Sequence, residues 1–103
     1  MHAAYWKYTV RRRILGEKRG SFPIKGSNWI TAPETTTVAW RRDVKLLIET
    51  HKSMRAAIAD VAPAHLHKRI PKGKVTYFFL ISGVAAHDVY HAGQIQLLKR
   101  LQQ

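Results

Sequence analysis

"GVAAHDVYHAGQIQLLKR", residues 83–100, reads as one helix, and its reading decides the fold. Wound at 100° per residue, Leu80, Val84, His87, His91, Gln94, Ile95 and Leu98 fall within about 60° of one line. A face built of leucine, valine and isoleucine is a face to bury. Two histidines, four residues apart, stand at its centre. Burying an imidazole costs free energy unless its nitrogens find partners. Residues at i and i+4 project side by side, within reach of one ion. Neutral imidazole suits zinc, nickel, copper and iron. A hydrogen-bonded pair of histidines meets the same spacing. The H-E-x-x-H pattern of metalloproteases is not met: Asp88, one methylene shorter, stands where glutamate is needed, and no third ligand follows downstream.

Working outward, Thr76 is placed to cap this helix, which should run to about Leu101. The segment before it, "PAHLHKRIPKGKV" at 63–75, is a connection with a turn at Pro71 and Gly73. A second helix should start near Thr35 or Thr36 and close at Pro63. Its stripe is Trp40, Val44, Leu47, His51, Met54, Ile58 and Val61, spaced alternately four and three. Residues 2 to about 15 form a first helix, with Trp6, Val10 and Ile14 at helical spacing and Gly16 as its stop. Between these two helices lies a long loop, "GEKRGSFPIKGSNWITAPE" at 16–34, which Phe22 and Trp29 should pin onto the bundle. No strand-like alternation competes. The expected class is all-α, an antiparallel bundle forming one domain over 1–103.

The helix lengths are uneven. Two helices of about 25 residues, each roughly 38 Å long, stand beside one of about 14 that begins almost at Met1. That leaves apolar surface uncovered. Either the chain is part of a longer domain or a partner covers it, and the seam with Trp40, Val44 and Leu47 points to a homodimer.

Composition narrows the chemistry. The 103 residues hold no cysteine, so thiolate metal sites, disulfides and cysteine catalysis are excluded within this chain. There is no apolar leader and no run of about 18 apolar residues, so no membrane role is expected and the cytoplasm is the expected location. The net charge of +12 could draw nucleic acid, but the charges are spread along the chain and no recognition helix, RNP motif or zinc finger is present.

A catalytic metal usually takes three protein ligands and leaves a position open. The candidates for the third are His2, His51, His65 and His67. His65 and His67 lie in a loop beside lysines and read as solvated. His51 sits on an apolar stripe and reads as a core histidine. His2 stands one turn before Trp6 on the apolar face of the first helix. Spacing does not choose between His2 and His51. Asp88 reads as solvated and Tyr90 and Gln94 as packing residues, with supporting roles around a metal as the alternative.

The stretch "GVAAHDVYHAGQIQLLKR" resembles the last helix of the DinB-like (DinB/YfiT) four-helix bundles. "HAAYWKYTVRRRILGEKRGSFPIKGSNW" at 2–29 resembles the second helix and following loop of one branch of that superfamily. The resemblance covers nearly the whole chain. It implies an up-down-down-up bundle, here reduced to three main helices because the first would lie before Met1. It also implies a divalent metal held by three histidines, one from the second helix and two from the last. Carried onto this chain these are His2, His87 and His91, with zinc or nickel as the metal expected. The family includes thiol-dependent transferases and metal-dependent hydrolase-like proteins. The leading expectation is therefore a metal-dependent thiol transferase or hydrolase acting on a small molecule or thiol. A non-catalytic, dimerising helical module is the second reading, and a basic nucleic-acid binder the third.

Overall fold

The computed structural model describes residues 1–18, 20 and 35–103. The loop anchors Phe22 and Trp29 lie outside the described residues. Three α-helices follow in order: α1 (His2–Leu15), α2 (Thr37–Ala59) and α3 (Tyr77–Leu101), with a short 3-10 turn over Pro63–His65. The described residues form no strand, and only an isolated bridge pairs Arg69 with Thr76. The all-α expectation holds, and the helix limits fall within a few residues of those expected.

Local chemistry explains the ends. Gly16 takes a left-handed conformation (φ 70°), and the N–H of Glu17 reaches back to the carbonyl of Arg12 at 3.0 Å. That closure favours glycine, because an L side chain rarely adopts positive φ. A Cβ on Gly16 would also stand 3.0 Å from Pro71, so the end of α1 sits tightly against the turn that leads to α3. Thr36 caps α2, its hydroxyl accepting from the Ala39 N–H at 3.1 Å, and Thr76 does the same for Phe79 at 3.1 Å. The connection finishes the capping of α3. The N–H groups of Tyr77 and Phe78 donate to the carbonyls of Lys68 and Leu66, at 3.0 and 2.7 Å. Three of the four orphan donors of a helix start are thereby met. α2 ends at Ala59, before Pro63, which instead opens the 3-10 turn.

The core joins Val10 and Ile14 of α1, Met54 and Ala57 of α2, Leu80 and Val84 of α3, and Ile70 of the connection. The ends of α1 and α2 thus share a core with the start of α3. α1 and α2 run in the same direction and α3 runs against both. The α1 backbone lies closest to α2 and less close to α3, while α2 and α3 meet through the side chains of that shared core. Buried Ala4, Ala39 and Ala57 leave the room for close helix approach.

Two expected stripes need correction. On α2 the buried residues are Ala39, Met54 and Ala57, whereas Trp40 is 70% exposed and His51 half-buried. The heptad seam holds at Met54, which joins the core, and at Ile58 and Val61, which pack against it; it fails at Trp40 and passed over the buried Ala39 and Ala57. On α3 the stripe is buried only at Leu80 and Val84. Ile95 and Leu98, expected to shield the histidines, are 58% and 57% exposed.

Candidate metal centre

α1 and α3 pass each other in opposite directions, so the first turn of α1 meets the middle of α3. This brings His2 beside His87 and His91. One ring nitrogen from each lies within 4.8 Å of the others. The Nε2 of His87 is 2.9 Å from that of His2 and 3.1 Å from that of His91. Two nitrogens held about 2.05 Å from a tetrahedral ion stand about 3.3 Å apart, so these separations are close to those of a ligand set.

The arrangement cannot be satisfied by hydrogen bonds among neutral rings. The Nε2 of His87 faces two neighbours. Carrying a proton, it donates to one; lacking it, it accepts from one. One of the two contacts is always left without a bond, whereas a cation between the three nitrogens satisfies all of them. The donor set therefore fits a divalent transition metal. His51, His65 and His67 are not in the cluster. His65 and His67 are exposed, and the His67 ring lies 5.1 Å from that of Phe78.

Surrounding groups set the ring states. Gln94 Oε1, which can only accept, lies 2.6 Å from His91 Nδ1 and so fixes a proton there. The lone pair of His91 Nε2 is then free to face the cluster. Gln94 is itself oriented, its amide N–H donating to the Tyr90 hydroxyl at 3.3 Å. Burial, then the His91 and His2 rings, hold the His87 imidazole below its ordinary value, with Asp88 pulling the other way. His87 is therefore kept neutral, the form that binds metal.

Three findings correct or extend the sequence reading. Asp88 is not simply solvated: it forms an ion pair with Lys7 of α1, a lysine only 4% exposed. Gln94 and Tyr90 do more than pack, since they orient His91. Lys7 was missed altogether. Its signal was available, because Ala4, Lys7, Val10 and Ile14 continue one helical stripe.

A family model described as the DinB superfamily matches residues 1–95. The chain belongs to the DinB superfamily. No curated protein and no solved structure matches it. Family membership and the histidine cluster together are compatible with a divalent metal. Among the described residues no helix is long and apolar enough to cross a membrane.

Proposed function

We propose that this DinB-superfamily chain is a metal-dependent thiol transferase or hydrolase, with one zinc or nickel ion held by His2, His87 and His91. The observation that carries the reading is the meeting of three Nε2-bearing rings at a point where hydrogen bonding among them is frustrated. A divalent ion there would act as a Lewis acid, lowering the pKa of a thiol or water at its open position.

The chain's own residues prepare that chemistry. His87 stays neutral through burial and its neighbours. Gln94 holds the tautomer of His91. The Lys7–Asp88 pair ties α1 to α3 one turn from the cluster and so keeps His2 in register with the other two rings. A cleft of about 480 Å³ opens beside His2 and His91, walled by Ile95, Leu97 and Leu98, and gives a small molecule an approach.

Cobalt substitution tests the reading. Cobalt(II) added to the wild type should bind one per chain, and a small thiol added afterwards should produce a sulfur-to-cobalt charge-transfer band. His91→Ala should take up no cobalt at the same concentration. Stoichiometric cobalt in His91→Ala would reject the ligand assignment. Absence of both the thiol band and any metal-dependent ester hydrolysis in loaded wild type would reject the enzymatic reading.

A further inference from the structure

At the far end of α1, about 15 Å along the helix from His2, a separate cavity of about 350 Å³ opens where the helix end meets the turn before α3. Arg12, Arg13 and Lys18 line it from α1 and the residues just after, and Lys72 lines it from the turn. None of these four cations has an ion-pair partner among the described residues. The acid in the lining, Glu17, faces Arg11 at 3.4 Å. One guanidinium N–H of Arg12 donates to the Glu17 carbonyl at 3.3 Å, which holds that side chain at the cavity. The negative end of a helix works against an anion here, but it is worth about half a charge. The N–H groups of Gly16 and Glu17 already cover the Arg13 and Arg12 carbonyls, at 3.3 and 3.0 Å. Four whole cations outweigh that half charge. The connection adds to the field, since residues 63–75 carry four cations and no acid. The backbone presents Lys72 at a cost. The Gly73 N–H bonds the Ile70 carbonyl at 3.2 Å and closes a turn whose third place, held by Lys72, has φ 55°. Glycine or asparagine usually takes such a place. The neighbouring glycine cannot give way either, as a Cβ on Gly73 would lie 2.6 Å from Ile70. A lysine thus sits in a conformation that disfavours it, and such strain clusters at binding sites.

We propose that this cavity binds a diphosphate group. Arg12 and Arg13 donate to its oxygens, and Lys18 and Lys72 supply compact countercharges. Charge sets the class. A carboxylate brings one negative charge and a phosphate monoester about 1.5 to 2. A single such group falls well short of four cations, whereas two linked phosphates come near to matching them. The volume lies within the range of about 300–1,000 Å³ of ligand sites, so the diphosphate can be free or carried on a small body such as a nucleoside. The cavity shares no residue with the histidine cluster, and the proposal stands apart from the metal reading.

Calorimetric titration of the full chain without added metal, at about 0.15 M salt, tests this. Inorganic pyrophosphate should bind one per chain and about tenfold more tightly than orthophosphate. Arg12→Gln and Lys72→Gly should each weaken pyrophosphate about tenfold, the loss expected for one charge-assisted hydrogen bond. Glycine accepts positive φ freely, so Lys72→Gly should keep the melting midpoint, and its weaker binding then reads the lost ammonium and not a lost fold. Lys74→Gln removes the same charge at an exposed residue outside the lining and should bind as the wild type does. ADP separates the sources. Affinity equal to or above that of pyrophosphate assigns the group to a nucleotide, and weaker binding assigns it to the free diphosphate. No binding of pyrophosphate, equal affinity for orthophosphate, undiminished binding in either cavity variant, or as large a loss in Lys74→Gln would overturn the proposal. So would a short single-stranded oligonucleotide that binds more tightly than pyrophosphate and is not displaced by it, since the cations would then follow a phosphodiester backbone.

Discussion

His87 Nε2 faces two other nitrogens, and this single atom concentrates the chemistry of the site. Its behaviour with acid has a definite sign. The pKa of His87 in the folded chain is lowered, so between that value and about 6.5 the unfolded chain binds more protons than the folded one. Stability from this group is present above pH 6.5 and is lost as pH falls through the folded value. Thermal melts of the metal-free protein should therefore fall in midpoint on acidification from pH 7 to pH 5, and metal uptake should fall over the same range as protons compete for the rings. Gln94→Leu should keep the fold and weaken zinc binding by about 10–100-fold, since the ring of His91 loses the acceptor that sets its tautomer. Calorimetric titration reads this directly, and unchanged affinity would show that Gln94 has no part in it. The i,i+4 histidine pair was legible because both residues lie on one element. His2 was not separable from His51 by spacing, since meeting α3 depends on how α1 packs, and resemblance alone selected it. The burial of Lys7 was legible from its place on the α1 stripe, but its pairing with Asp88 was not, since spacing within one helix does not say which residue of another it meets.

At the scale of the helices, α1 is held to α3 by its buried stripe and by the Lys7–Asp88 pair. Removing Asp88 leaves a lysine that is 4% exposed without its counter-ion. Breaking a fully buried pair costs about 3–5 kcal/mol. Asp88 is half-exposed, so Asp88→Ala should cost less, about 1–3 kcal/mol. Denaturant unfolding of the metal-free protein measures this, and a loss below about 0.5 kcal/mol would place the pair among ordinary surface contacts. Thr76→Ala removes the hydroxyl that accepts from Phe79 N–H and should cost about 1 kcal/mol. Capping chemistry is written in single residues, which is why Thr36, Thr76 and Gly16 could be read from the sequence. Burial was read less well. Trp40 was expected inside and lies outside, whereas its neighbour Ala39 is buried and Met54, further along the same stripe, joins the core.

The molecule as a whole leaves much apolar surface uncovered. Phe78, Phe79, Val89, Tyr90, Ile95, Leu97, Leu98 and Leu101 of α3 are exposed, as are Val38, Trp40 and Ile48 of α2. Single chains seldom leave more than a few hundred Å² of contiguous apolar surface in water. We propose that a second copy covers part of it, and sedimentation at micromolar concentration should give a mass of two chains or more. A mass of one chain would reject this. The order in which the helices touch has a further effect. α2 offers no residue to the histidine cluster, packs closely on α1, and meets α3 in the core around Met54, Ala57, Leu80 and Val84. Ion occupancy at one end of α1 therefore reaches α2 through α1 and through the core that α2 shares with the start of α3. A free ion held at a hundred times its dissociation constant adds about 2.7 kcal/mol to whatever must unfold to release it. Amide hydrogens along α2, remote from any ligand atom, should then exchange more slowly as zinc is raised, so that metal supply governs how often a helix that never touches the metal comes open.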